Sequence, residues 1–293
     1  GSGRRPRRPG RRAARSCRRR RDRVMPPHHH VATGGPAVLT VVAVVALALG
    51  AAAYAAGLRA ARSRSPWPVR RTLSWYAGLA CAGVATVGPL AEASRSGFTA
   101  HMAGHVLLGM LAPLLLVLAA PVSLLLRALP PARARRVSAV LRSPVPRVVG
   151  HPVVAGLLDA GGLWLLSSTG LFHLTHSSAV VGVVVHAHVL LAGWLFTASL
   201  VGPDPHPSRA SFRVRAGVLV AFVAAHSVLA KWLYAHPPAG VSPADARTGA
   251  QLMYYAGDVV DVTLMVLLVA GWYAATRPRE IPATRVRTRP GLA

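Results

Sequence analysis

The stretch AVVGVVVHAHVLLAGWLFTASLV, residues 179–201, runs for 23 residues without Asp, Glu, Lys or Arg. A helix needs about 20 predominantly apolar residues to cross the hydrocarbon core of a bilayer. The stretch lacks the alternation typical of a strand, and a backbone exposed to lipid must satisfy its hydrogen bonds internally. It therefore predicts a transmembrane helix.

Six more stretches meet the same length requirement. They span residues 37–58, 72–91, 101–126, 148–169, 216–235 and 250–275. Only 14% of the chain is charged and 53% is hydrophobic, whereas a soluble domain carries about 25% charged residues. This composition excludes an ordinary soluble enzyme. It predicts an all-α fold, a polytopic membrane helix bundle of about seven transmembrane helices that occupies residues 37–276 of the chain within the lipid bilayer.

The net charge of +26 raises nucleic-acid binding as a function, but the distribution of the charges argues against it. Twelve arginines fall within residues 1–24, and the other basic residues lie mostly in short connections between apolar stretches. Short loops rich in Lys and Arg stay on the cytoplasmic side. Nineteen basic residues fall in alternate connections and the C-terminal tail, against three on the other side. This asymmetry predicts an outside N-terminus, an inside C-terminus and a cytoplasmic tail over residues 277–293.

The N-terminal tail conflicts with that orientation, because twelve arginines should resist export. The sequence predicts a basic, disordered tail over residues 1–36. Met25 starts an arginine-free run that leads into the first apolar stretch. We therefore expect that residues 1–24 do not belong to the natural protein. The alternative is a genuine tail that stays in the cytoplasm, with one span wrongly assigned.

Ionisable side chains inside membrane helices are costly and therefore mark candidate functional sites. With a rise of about 1.5 Å per residue, several of them fall in the outer half of four different predicted helices. They are His101, His105, His186, His188, His226, Asp258 and Asp261. Because four helices contribute polar groups at one depth, the sequence predicts an outward-facing histidine cluster.

Helical spacing divides this set by face. His101 and His105 are spaced i, i+4, and Met102 lies three residues before His105, so the three side chains can line one arc. His186 and His188 lie about 200° apart around their helix, so one of them is expected to meet a neighbouring helix. The two aspartates share one face of the last span.

The residue types of this set suit copper. Imidazole with an optional thioether and no thiolate fits that metal, and the thioether of Met102 favours Cu(I). Cys17 lies in the tail and Cys81 in an apolar stretch, so a thiolate metal site has almost nothing to build on. Zinc and haem iron accept the same imidazoles. Histidines that only pack and form hydrogen bonds are the structural alternative.

Four other positions carry simpler expectations. Pro113 and Pro121 predict a bent third span beside the histidines. His151 precedes Pro152 at the start of the fourth predicted helix, where a capping role is expected. Asp159 lies in the middle of that helix and receives no role from the sequence.

Two stretches resemble signature segments of the multi-span CtaG-type cytochrome c oxidase assembly factors. They are HMAGHVLLGMLAPLLLVLAAP, residues 101–121, and VHAHVLLAGWLFTASLVGPDPHP, residues 185–207. Weaker similarity surrounds the family's sixth span and the start of its last one. It is carried here by AFVAAHSVL around His226 and by Asp245, Gln251 and Gly257-Asp258.

The resemblance implies a multi-pass protein of the bacterial plasma membrane that is required to mature a haem-copper oxidase, through copper delivery. It makes a set of residues the candidate metal site: His101, Met102, His105, His186, His188 and His226. Asp258 and Asp261 would then orient the imidazoles without binding the metal themselves. We expect a non-enzymatic assembly factor that binds Cu(I) and has oxidase subunits as partners. A bis-His haem protein that moves electrons and a copper transporter are the alternatives.

Overall fold

The computed structural model describes residues 1–3, 34–62, 66–169, 178–206 and 209–277. Within those ranges every regular element is a helix and no strand occurs, which confirms the predicted all-α fold. Residues 4–24 lie outside the described residues, and so does nearly all of the predicted C-terminal tail. The expectations for both segments stay predictions.

The described residues form twelve α-helices and one π-helical segment. The first six α-helices are α1 Gly34–Ala61, α2 Val69–Thr86, α3 Pro89–Ala93, α4 Phe98–His105, α5 Ala112–Leu118 and α6 Pro121–Ala128. The other six are α7 Pro131–Leu141, α8 Pro144–Val149, α9 Pro152–Ser168, α10 Ala179–Val201, α11 Phe212–Ala235 and α12 Pro243–Thr276. The π-helical segment, Val106–Leu111, joins α4 to α5.

Six helical stretches among the described residues are long and apolar enough to cross a membrane, so the chain is a multi-pass membrane protein. They are Ala37–Ala61, Val69–Ala93, Phe98–Ala128, Ala179–Val201, Phe212–Ala235 and Pro243–Thr276. The predicted stretch 148–169 forms the shorter helix α9, which has 17 residues and a length of about 25 Å. The total of seven spans and the outside position of the N-terminus stay predictions.

Successive long helices run in opposite directions, so the bundle has two ends. The histidine end contains the start of α4 at Phe98, the start of α10 at Ala179 and the last turn of α11 at Ala235. The arginine end contains helices α6–α8, residues 121–149, and the loop between α10 and α11. The arginines of the predicted cytoplasmic connections follow the helix ends that meet at the arginine end.

The third span is bent twice and is the most buried of the six. Its first part, α4, passes into the π-helical segment, which ends two residues before Pro113. A second break follows at Ala120, whose φ of 53° places an alanine in the left-handed region directly before Pro121. Proline interrupts helical hydrogen bonding. The bend predicted from the two prolines is confirmed.

Aspartates from distant segments hold both ends of the third span. At the arginine end, the Asp204 carboxylate accepts hydrogen bonds from the backbone N–H groups of Val122, at 3.1 Å, and Ser123, at 2.7 Å, in the first turn of α6. At the histidine end, Asp245 accepts from the first two N–H groups of α4, at 2.7 and 3.1 Å. Both carboxylates satisfy N–H groups that a helix start leaves without partners, and both lie at the positive end of a helix dipole.

Local caps start four other helices. The Nδ1 atom of His151 accepts a hydrogen bond from the backbone N–H of Val153 at 3.4 Å, which confirms its predicted capping role at α9. Ser178, Ser211 and Ser242 cap α10, α11 and α12 through their side-chain oxygens. Serine is among the residues preferred at this position.

Two apolar layers occupy the interior. The layer nearer the arginine end is built around Met110, Leu114, Phe196, Phe222 and Leu264. The layer nearer the histidine end is built around Phe98, Met102, Leu229 and Met253. His105 and His226 lie between the layers, because each falls between members of both on its own helix, and Asp261 lies at the edge of the first layer, next to Val260. The polar side chains therefore occupy one level of an otherwise apolar core.

Candidate functional site

Three side chains of α4 and one of α10 share a small cavity at the histidine end. His101, Met102 and His105 line it together with His186, and its volume is about 50 Å³. The first three converge because their spacing puts them on neighbouring turns of one helix face. Met102 is almost fully buried here, with 3% of its surface exposed. The cavity thus combines three imidazoles with a thioether.

A second contact links His105 to His226 on α11. The ring centroids of His105 and His226 lie 6.3 Å apart. The Nε2 atom of His105 and both ring nitrogens of His226 are buried, with no hydrogen-bond partner among the described residues. Buried polar atoms in native proteins are nearly always hydrogen-bonded. This histidine pair is therefore an exception that packing alone does not explain.

Asp261 lies behind His226. One carboxylate oxygen, Oδ2, is 3.9 Å from Nδ1 of His226, which is too long for a hydrogen bond. The two side chains are 1% and 2% exposed. His226 approaches α12 this closely because the facing residue is Gly257: a Cβ atom there would collide with Cε1 of the imidazole. The carboxylate therefore faces the imidazole but forms no hydrogen bond with it.

Asp159, which the sequence left without a role, extends this group toward α9. Its carboxyl group lies close enough to that of Asp261 for the two to interact electrostatically. Beyond these carboxyl groups, the apolar layer around Leu114, Phe196 and Phe222 fills the interior toward the arginine end. The polar groups therefore form a series from His101 to Asp159, in which His226 and Asp261 are buried, and an apolar layer follows it.

His188 and Asp258 lie apart from the cavity and the histidine pair. His188 is exposed on the surface of the bundle, and its Nε2 atom is 3.1 Å from the carbonyl oxygen of Leu158 on α9. The predicted division of His186 and His188 between a shared site and a neighbouring helix matches this arrangement. Asp258 is half-buried and interacts electrostatically with Asp261. The carboxylate beside an imidazole is thus that of Asp261.

A single cluster of all the predicted ligands is not present. In the ranges that the structure describes, no group of three or more His, Cys, Asp or Glu side chains is placed to hold one metal ion. The predicted cluster resolves into a cavity with His101, His105 and His186, and a pair in which the partly buried His105 meets the buried His226. Similar depth in the membrane sets the height of a side chain, but the rotation of each helix decides which side chains meet.

Sequence reasoning missed a vestibule next to this cavity. A pocket of about 320 Å³ is lined by His236, Trp232, Ser168 and Thr169, and it shares His101 and Met102 with the inner cavity. The His236 ring stacks on Trp232 at 5.3 Å, and its Nδ1 atom is 3.2 Å from the carbonyl oxygen of that residue. The i, i+4 spacing of these two residues at the end of a span was the available signal.

Residues 52–275 match the family model described as cytochrome c oxidase caa3 assembly factor, Caa3_CtaG. The chain belongs to this family. All the candidate site residues fall within the matched range. The Caa3_CtaG description suggests a non-catalytic role tied to cytochrome c oxidase and to a membrane.

Relatives of this Caa3_CtaG chain occur in mycobacteria, which is consistent with a bacterial plasma membrane. An uncharacterized protein of Mycobacterium bovis is 38% identical over 192 residues, which cover 60% of this chain and 28% of that protein. An uncharacterized protein of Mycobacterium leprae is 30% identical over 195 residues, covering 62% and 29%. The chain spans under a third of the length of these curated relatives. No solved structure matches it.

Proposed function

We propose that this chain is a non-enzymatic assembly factor that carries Cu(I) as cargo at the histidine end and passes it to a subunit of a haem-copper oxidase. The observation that carries the proposal is the buried pair of His105 and His226. Three ring nitrogens of the pair lack hydrogen-bond partners among the described residues. A neutral imidazole has a free lone pair on one of its nitrogens, so each ring of the pair can supply one metal ligand.

The chemistry of the pair fits a soft ion of low coordination number. Imidazole and thioether ligands without thiolate suit copper, and Met102 places a thioether beside His105. With about 2 Å between a metal and an imidazole nitrogen, two rings that share one ion have centroids roughly 6 Å apart. The observed separation is 6.3 Å. Cu(I) accepts two ligands, so the lack of a three-ligand group does not argue against it.

A route for the cargo is also present. His101 and Met102 line both the vestibule and the inner cavity, so they connect the surface with the buried pair. His186 faces the same cavity. The Asp261 carboxyl group lies 3.9 Å from His226, so its negative charge, when ionised, favours a cation at the pair. The predicted topology puts this end of the bundle on the outer side of the membrane.

The two alternatives lack comparable support. A haem would need far more room than the cavity of about 50 Å³ at His105 and His186, since pockets for ligands of drug size measure about 300–1,000 Å³. A transporter would need a polar route to the arginine end, where the apolar layer around Leu114, Phe196 and Phe222 closes the interior.

The test compares two double variants of the full chain. His105→Asn with His226→Asn removes the proposed ligands, and amide groups are poor ligands for Cu(I). His151→Asn with His188→Asn is the matched control, because neither residue lines the cavity and asparagine also caps a helix. After anaerobic loading with Cu(I), we expect the first variant to be membrane-inserted and copper-free. The control is expected to bind copper as the unmodified chain does.

The same variants are then expressed in a host that lacks its own copy of the protein. We expect the first variant to leave the oxidase poor in copper and the control to restore its copper content. If the first variant retains stoichiometric copper and supports a normal oxidase, the histidines are structural and the proposal is wrong.

A further inference from the structure

An apolar cavity at the arginine end is separate from the histidine site. Its volume is about 350 Å³, and it lies between α8, the last turns of α10 and the residues 204–206 that follow α10. Its walls are mostly apolar and include Leu141, Val145, Val149, Trp194, Leu195 and Ala198. Apolar cavities do not hold water well, because water there finds too few hydrogen-bond partners. The walls therefore favour hydrocarbon.

The position of the cavity suits a lipid chain. It follows α10 from Trp194 to Gly202, a rise of about 12 Å. Half of a hydrocarbon core is roughly 15 Å thick. Since Gly202 ends this membrane-spanning helix, the cavity reaches from the edge of the bilayer into its interior. An acyl chain inserted from the edge would lie along α10.

The mouth of the cavity is basic. Arg147 lines it, and the Nη2 atom of Arg147 donates to the carbonyl oxygen of Arg142 at 3.5 Å. Residues 121–149 contain six arginines and no acidic residue. Neither Arg142 nor Arg147 forms an ion pair with a carboxylate in the described part of the chain. Asp204 also lines the cavity, but its carboxylate accepts hydrogen bonds from two backbone N–H groups at the start of α6.

Other arginines of this end are already engaged. Arg209 donates to the carbonyl oxygen of Gly202, and Arg215 donates to that of Leu200 at 2.7 Å, so both hold the C-terminal turn of α10. Their charges favour the negative end of that helix dipole. The cations left to meet an anion at the cavity mouth are Arg147, which lines the cavity, and Arg142, which follows the lining residue Leu141.

We propose that this cavity binds one acyl chain of an anionic glycerophospholipid, whose phosphate is bound by Arg142 and Arg147. The apolar walls and the basic mouth together match a molecule with a hydrocarbon chain and an anionic head. Basic pockets between membrane helices commonly bind anionic headgroups. The bound lipid fastens α7 and α8 to α10, because its chain contacts both walls.

The test measures lipid binding to the purified full chain by native mass spectrometry in detergent. Phosphatidylglycerol and phosphatidylcholine with identical acyl chains are titrated separately. We expect phosphatidylglycerol to bind about tenfold more tightly, because its headgroup has a net negative charge, whereas the choline cation of phosphatidylcholine offsets the charge of its phosphate. Equal binding of the two lipids would overturn the proposal, because it would mean that only hydrocarbon is recognised.

Two pairs of substitutions separate a specific site from surface charge. Arg142→Gln with Arg147→Gln is expected to weaken phosphatidylglycerol binding about tenfold. Arg133→Gln with Arg135→Gln removes the same charge from α7 away from the cavity, and is expected to change binding less than about twofold. Equal losses in the two pairs would assign the binding to diffuse charge, and no loss in the first pair would also overturn the site.

A third comparison tests the acyl chain. Ala198→Leu fills the cavity from α10 and is expected to reduce phosphatidylglycerol binding about tenfold. If that variant does not fold, Val145→Trp fills the cavity from α8, where Val145 is 70% exposed and tolerates a larger side chain. Unchanged lipid binding in a folded cavity-filling variant would show that the chain lies elsewhere and would overturn the proposal.

Discussion

The arginine end and the histidine end differ in how their buried polar groups are satisfied. At the arginine end, Asp204 accepts two backbone hydrogen bonds and Arg215 donates to the carbonyl oxygen of Leu200, although its Nε atom has no partner. At the histidine end, neither nitrogen of His226 and neither oxygen of Asp261 has a hydrogen-bond partner among the described residues.

The difference separates two uses of polar side chains in a membrane protein. A polar group that stabilises a fold is anchored by at least one hydrogen bond, because an unsatisfied buried group costs about 1–3 kcal/mol. A group kept without a partner lowers stability, so it persists only where it serves another purpose. This criterion supports the proposed site at the histidine end, whereas the polar groups of the arginine end are the ones that hold helix ends together.

The largest effect is expected when His226 and Asp261, the two residues without hydrogen-bond partners, are replaced by apolar residues. His226→Phe with Asp261→Leu should abolish copper binding and raise the free energy of unfolding by about 1–3 kcal/mol, because two buried groups without partners are removed. Copper analysis and unfolding in mixed micelles measure the two effects. His226→Phe alone should be less stable than the double variant. A clear loss of stability in the double variant would make the pair a structural element.

At the arginine end the opposite outcome is expected. Asp204→Ala removes both hydrogen bonds from the start of α6 and should lower the free energy of unfolding by about 2 kcal/mol. Copper binding should not change. Asp204→Asn keeps one acceptor and should cost less. The comparison fails if Asp204→Ala is as stable as the unmodified chain, or if it releases copper while remaining folded.

The close approach of α12 to His226 gives a finer test. Gly257→Ala introduces a Cβ atom against the imidazole and should weaken copper binding about tenfold, as displaced supporting contacts do at metal sites. Gly271→Ala is the control on the same helix, because no atom lies within 4 Å of its added Cβ. Titration with Cu(I) against a chelator of known affinity measures both. Equal affinities in the two variants would separate Gly257 from the site.

The smallest expected effect concerns pH and the arginine end. Burial, and then the positive charge of Arg209, lower the pKa of His206 below its ordinary value of 6.5, although a hydrogen bond to the backbone of Gly150 opposes them. The folded state therefore prefers neutral His206. Its contribution to stability is present above pH 6.5 and is lost as the pH falls below that value.

Unfolding midpoints at pH 7.5 and pH 5 measure this contribution. We expect His206→Gln to reduce the difference between the two midpoints without changing copper binding at pH 7.5. A midpoint difference that His206→Gln leaves unchanged would assign the pH dependence to other groups.

Helical periodicity was sufficient for several features. It placed His101, Met102 and His105 on one face and separated His186 from His188. These relations hold within a single helix, where 3.6 residues per turn fixes the angle between side chains. The capping role of His151 is local in the same sense.

Contacts between helices were not accessible in this way. Asp204 accepts a hydrogen bond from a residue 82 positions away in the chain, and Asp245 accepts one from a residue 147 positions away. Which groups meet over such distances depends on how each helix is rotated in the packed bundle. The same limit applies to the approach of Asp261 to His226. His236 was missed because its importance comes from the vestibule, which Trp232 and residues of α9 complete.

The π-helical segment also has an evolutionary consequence. A π turn accommodates one residue more than an α turn, so residues 106–111 hold an extra residue between the histidines of α4 and the prolines that follow. Deleting a single codon there would convert the segment to a regular α-helix and leave His101 and His105 close to their present angle relative to α5, because the π turn already absorbs the extra residue. The segment is therefore a position at which the gene can lose one codon without changing the face that the two histidines present.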